Sequence, residues 1–157
     1  MLSSSLSNIF TTQIERRVKM CQVLIVDDDP VHHYLAQYLC KNHSAISSLK
    51  CFLKPADALD FITKEVLNKS PLPQVVLLDI NMPDIDGWKF LESLQNICKS
   101  AETSINIFML SSAPHFKTEQ LRMQYHFVKG YYTKPLTKNM LDRLLLSEYH
   151  PTELRNI

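Results

Sequence analysis

CQVLIVDDDP, residues 21–30, decides the fold: an apolar run from Cys21 to Val26 stops abruptly at three carboxylates and a proline. Continuous runs rich in Val, Ile and Leu suit strands buried on both faces, and such strands occur almost only in parallel sheets covered by helices. A second run, Val75 to Leu78, ends at Asp79. A third, Ile105 to Leu110, stops at Ser111-Ser112, and a fourth, Phe127 to Tyr132, leads into Thr133-Lys134-Pro135. In an open α/β sheet, ligands bind outside the carboxyl ends of the strands. As parallel strands, these four runs place Asp27, Asp28, Asp79, Ser111 and Lys134 along one edge, in a single site.

The segments between the runs read as helices. Asp29 can cap a helix whose first residue is Pro30, the favoured position for each, with Val31, Leu35, Tyr38 and Leu39 expected on its buried face. His32 and His33 lie about 100° apart on that helix, so they cannot jointly face one metal, and they read as surface or boundary residues. Leu49 to Leu53 reads as a short second strand. Pro55 then opens a helix with Ala58, Leu59, Ile62, Val66 and Leu67 inward. Gly87 stands where a positive φ suits the turn before a helix containing Phe90, Leu91, Leu94 and Ile97. A helix over 117–125 and another from Thr137 to Glu148, with Met140, Leu141, Leu144 and Leu145 inward, complete the alternation. Strands alternating with helices five times argue a doubly wound parallel sheet.

With 157 residues, 45% hydrophobic and 21% charged, the chain suits one globular domain. A formal charge of +1 with mixed signs leaves no footprint for nucleic acid. Cys21, Cys40, Cys51 and Cys98 are far apart and show no C-x-x-C pair, which fits buried, reduced thiols in a cytoplasmic protein. No segment approaches the length of a membrane span, and residues 2–10 lack the pattern of a signal peptide. Residues 1–19, rich in Ser and Thr, read as a weakly ordered leader. Met20, directly before the first strand, raises the alternative of a native start there, which the mass of the native protein decides. Residues 150–157 read as a tail, and too little chain follows Lys134 for an output domain.

Three converging carboxylates repel one another unless a proton or cation neutralises them. Hard oxygen ligands without His or Cys favour Mg²⁺ over zinc. A lysine and a hydroxyl on the same edge add what phosphoryl transfer needs: cationic charge for the equatorial oxygens and a hydrogen-bond donor. One carboxylate then serves as nucleophile, as in aspartyl-phosphate chemistry. Asp79, alone at its strand end, is the best candidate, and Asp27 and Asp28 are better placed as paired metal ligands.

Val26-Asp27-Asp28-Asp29-Pro30, Leu78-Asp79-Ile80-Asn81-Met82-Pro83 with Asp86-Gly87, Leu110-Ser111-Ser112, and Tyr131-Tyr132-Thr133-Lys134-Pro135-Leu136, in this order, resemble the response-regulator receiver domain of two-component signalling. The resemblance covers residues 20–149. It implies a five-stranded flavodoxin-like sheet of order 2-1-3-4-5. It also implies phosphorylation of Asp79 by a sensor histidine kinase or a histidine phosphotransfer protein, and a downstream target protein. By the same resemblance Asp28 and Asp79 bind Mg²⁺ directly, Asp27 mainly through water, and Asn81 through its backbone carbonyl. Lys134 pairs with the phosphate, Ser111 stands at the family's Thr or Ser position, and Tyr131 occupies the switch-aromatic position. The chain departs from the commoner pattern at Ser112, at Lys129, and in the proline-free connection from Lys99 to Ser104.

The leading expectation is therefore a stand-alone signalling receiver, not an enzyme, acting by phosphorylation-dependent protein binding or by relay. A Mg²⁺-dependent phosphatase of the haloacid-dehalogenase type ranks lower, because D-x-D-x-T at the nucleophile strand is not met by Asn81 and Pro83. A receiver-like scaffold that is never phosphorylated has no need of the full set of acids, Ser111 and Lys134.

Overall fold

The computed structural model describes residues 20–83, 86–112, 124–125 and 127–149. The leader, most of the helix expected over 117–125, and the tail lie outside the described residues. Five parallel strands, β1 (Cys21–Val26), β2 (Ile46–Phe52), β3 (Val75–Asp79), β4 (Asn106–Ser111) and β5 (Val128–Thr133), form one sheet of order β2-β1-β3-β4-β5. Four helices are described: α1 (Pro30–Cys40), α2 (Pro55–Leu67), α3 (Gly87–Ser100) and α4 (Lys138–Tyr149). The doubly wound, flavodoxin-like expectation holds.

Alternation along each strand feeds two cores, because successive side chains point to opposite faces. Leu24, Val26, Val76, Leu78, Ile107 and Met109 pack with Ala58 and Ile62 of α2 and with Phe90, Leu91 and Leu94 of α3. Val23, Ile25, Val75, Leu77, Phe108 and Leu110 pack on the other face with Ala36 and Cys40 of α1 and with Leu141, Leu144 and Leu145 of α4. Both faces of the central strands are covered, which is why their sequences are uniformly apolar.

The first helix is rotated from the expected orientation. Val31 (66% exposed) and Tyr38 (78%) face outward, and the buried residues are His33, Ala36 and Cys40. Leu35 is half-buried. Ala36 and Cys40 are the α1 residues within the second core, with Leu39 packed at its edge. Leu67, expected inward, is exposed at the last residue of α2. The edge strand β2 begins earlier than expected, at Ile46, because its outer positions Ser47, Ser48 and Lys50 are exposed and interrupt the apolar signal.

Gly87 does not have a positive φ. It is the first residue of α3, and a Cβ there would lie 2.8 Å from the Asp79 carbonyl oxygen and 3.1 Å from Ile80 Cα. Absence of a side chain lets the helix start abut the end of β3, where the Gly87 N–H donates to the Ile80 carbonyl at 3.1 Å.

Candidate functional site

β1 and β3 are neighbours, so the residues that follow Val26 and close β3 meet at the carboxyl edge. Each of Asp27, Asp28 and Asp79 offers a carboxylate oxygen, and these atoms lie within 4.8 Å of one another. Asp27 and Asp79 are buried, and Asp28 is exposed at the mouth. The chain leaves β1 through two stacked caps: the Asp29 N–H donates to Asp27 Oδ1 at 3.0 Å, and Asp29 Oδ1 accepts from the Val31 N–H at 2.8 Å. The second cap fixes the start of α1, as expected for Asp at this position. Asp86 caps α3 in the same manner, accepting from the Lys89 N–H at 2.9 Å.

Lys134 closes the site from β5. Its ammonium, on a side chain only 7% exposed, lies 2.7 Å from Asp27 Oδ2 and 2.8 Å from Asp79 Oδ2. The backbone holds it there: the Lys134 N–H donates to the Ser111 carbonyl at 2.8 Å, one step beyond the β4–β5 ladder. Ser111 is buried at the end of β4, beside the β3 end. The Asn81 N–H donates to Asp79 Oδ1 at 3.2 Å, so the turn after β3 braces that carboxylate. Tyr131 is half-buried, with its ring against the core on the α2 and α3 side.

Burial raises the Asp79 carboxyl above its ordinary value of 3.8, hydrogen bonding and charge from Lys134 pull it back, and Asp27 pushes it further up. Three carboxylates against one buried ammonium leave two negative charges uncompensated when all are ionised. A hard divalent cation with several water ligands fits this all-oxygen cluster in charge and donor type.

The structure thus brings Asp27, Asp28, Asp79, Asn81, Ser111 and Lys134 to one edge, with Tyr131 on the strand leading to Lys134. Sequence reasoning missed His32. Its Nδ1 lies 3.1 and 3.0 Å from the two oxygens of Asp27 and 3.1 Å from Lys134 Nζ. The available signal was positional. His32 is the third helical residue after the Asp29 cap, and helical side chains lean toward the N-terminus, so this position reaches back over the strand end. His33, its neighbour, is buried instead.

A five-stranded flavodoxin-like sheet with an acidic pocket and a buried lysine at its carboxyl edge defines a class of signalling module. The profile of the response regulator receiver domain matches residues 23–145. Protein PilH of Pseudomonas aeruginosa is 27% identical over 122 residues, 78% of this chain and 92% of that protein. A two-component response regulator from Cytophaga hutchinsonii has the same fold, with a TM-score of 0.75 at 23% identity over 84% of this chain and 98% of that one. Another, from Legionella pneumophila, gives 0.68 at 26% identity, covering 82% and 98%. The chain belongs to the response regulator receiver domain family of two-component systems. No described helix is long and apolar enough to cross a membrane.

Proposed function

We propose that Asp79 accepts a phosphoryl group from a phosphohistidine on a sensor histidine kinase or histidine phosphotransfer protein. The observation that carries this reading is the Lys134 ammonium held within 2.8 Å of both Asp27 and Asp79, beside a third carboxylate. An Asp79 oxygen attacks phosphorus, the P–N bond to the donor imidazole breaks, and the electron pair leaves with that nitrogen. Lys134 compensates charge on the transferred oxygens, and the Ser111 hydroxyl donates a hydrogen bond to one of them. Asp28, Asp79 and the Asn81 carbonyl, with Asp27 acting mainly through water, would hold Mg²⁺, which would supply charge neutralisation. Burial supports the nucleophile's role, since a carboxylate stripped of water is more basic and more reactive.

The output is a population shift. The phosphoryl group draws Ser111 and its loop inward, and Tyr131 rotates into the space released. The altered surface then binds a downstream target, or Asp79 passes the phosphoryl group onward to another histidine. The domain works in the cytoplasm, where kinases present their phosphohistidines, and its chemistry extends only to its own phosphorylation and dephosphorylation. It occupies residues 20–149, with residues 1–19 a leader and residues 150–157 a tail.

Borohydride reduction after transfer from a phosphorylated kinase, followed by peptide mass mapping, tests the acceptor. The expected product is homoserine at position 79, and reduction at any other acid contradicts the assignment. Pull-down with and without a phosphoryl mimic separates target binding from relay.

A further inference from the structure

Asp27 is 1% exposed, and three donors converge on it: the Asp29 N–H on Oδ1, the Lys134 ammonium on Oδ2, and the His32 ring on both. The His32 Nδ1 is nearly equidistant from both Asp27 oxygens, the arrangement of one N–H shared between the two ends of a carboxylate. The same nitrogen stands 3.1 Å from Lys134 Nζ, to which a ring N–H offers no lone pair. With Nδ1 donating to Asp27, the imidazole satisfies the carboxylate and gives the ammonium nothing.

We infer that His32 is a positioning residue, which anchors Asp27 so that Lys134 is free to turn toward a phosphoryl group on Asp79. This rests on the function proposed above. Lys134 bridges Asp27 and Asp79 before transfer. To serve the transferred oxygens it must loosen its 2.7 Å pair with Asp27 Oδ2; Oδ1 keeps the Asp29 N–H, but a buried Oδ2 left without a donor carries a desolvation penalty. A His32 N–H keeps Oδ2 of Asp27 bonded while Lys134 moves, with the Asp29 N–H holding Oδ1. Its placement follows from the helix start. The Asp29 cap sets the first turn of α1, and the third residue of that turn leans back over the strand end.

His32→Leu removes the donor at similar bulk, and His32→Asn restores an N–H close to the Nδ1 position. Phosphoryl uptake from acetyl phosphate with Mg²⁺ is measured on wild type and both variants, and thermal unfolding of each checks that it is folded. His32→Leu is expected to slow uptake by about tenfold to a hundredfold, the loss of one hydrogen bond to a charged group, with His32→Asn within about twofold of wild type. Equal rates in all three, or a His32→Asn variant as slow as His32→Leu while folded, overturn the role of His32 and leave the phosphoacceptor reading standing. A wild type that takes up no phosphoryl group overturns that reading and this inference with it.

Discussion

Gly87→Ala tests how the helix start holds the end of β3 in place. The added Cβ would meet the Asp79 carbonyl oxygen at 2.8 Å, Ile80 Cα at 3.1 Å and Met109 Cε at 3.2 Å. Only the methionine methyl can swing away. The other two atoms are backbone, and real Cβ atoms essentially never come within 3.0 Å of such a neighbour. Backing the helix off stretches the Gly87 N–H bond to the Ile80 carbonyl, now 3.1 Å, so relief at one contact loosens another. Overpacking of this kind costs about 1–3 kcal/mol. Alanine's better helix propensity returns at most about 1 kcal/mol, and less at a first helical position. The net expectation is a loss of about 1–2 kcal/mol, or about 2–8 °C in the unfolding midpoint for a domain of this size. Urea titration should show a lower midpoint at unchanged slope. Phosphoryl uptake should fall as well, because the displaced backbone carries Asp79. The φ at position 87 is not positive, so strain plays no part, and equal or increased stability in Gly87→Ala would refute the steric argument.

Lys134→Met leaves the buried Asp27 and Asp79 without their shared cation and should destabilise the fold by about 3 kcal/mol in the absence of divalent ions. Added Mg²⁺ should recover more stability in this variant than in wild type, as read by thermal unfolding. Asp79→Asn should stabilise the protein at neutral pH. The folded-state pKa of Asp79 is raised above 3.8, so the folded state binds this proton more tightly than the unfolded one, and stability falls as pH rises through the raised value. The advantage of the variant should therefore shrink as pH is lowered through that window, in denaturant titrations at several pH values. On α1, Tyr38→Ser should change stability by no more than about 0.5 kcal/mol. Ala36→Leu, at a residue 1% exposed, should cost about 1–3 kcal/mol by overpacking the second core.

The strands and the site were legible in the sequence for one reason. Parallel strands covered on both sides must be apolar throughout, so the first polar residue after each run marks the functional edge. That logic located Asp27, Asp79 and Ser111 without reference to contacts, and Lys134 one residue beyond Thr133. It failed where burial is partial or governed by size. The edge strand β2 carries Ser47, Ser48 and Lys50 on its exposed side, which masked its first turn of pairing with β1. The face of α1 that is buried carries the small Ala36 and Cys40, and a hydrophobicity pattern that looks for large apolar residues points to Val31 and Tyr38 instead. Gly87 was legible as necessary, but the need is for space and not for a left-handed backbone. His32 was hidden because its role depends on where the helix begins, not on any motif. Once Asp29 is recognised as the cap, the third helical position is the one to inspect.

Asp79 as the phosphoacceptor of a working, Mg²⁺-dependent receiver stands or falls on intact mass after incubation with a small-molecule phosphodonor, with and without Mg²⁺, on wild type and Asp79→Asn. One added phosphoryl group is expected on the wild type, in the presence of Mg²⁺ only, and none on the variant. Equal phosphorylation of Asp79→Asn, or no addition under any condition, would contradict it, the latter leaving a receiver fold that serves as a scaffold.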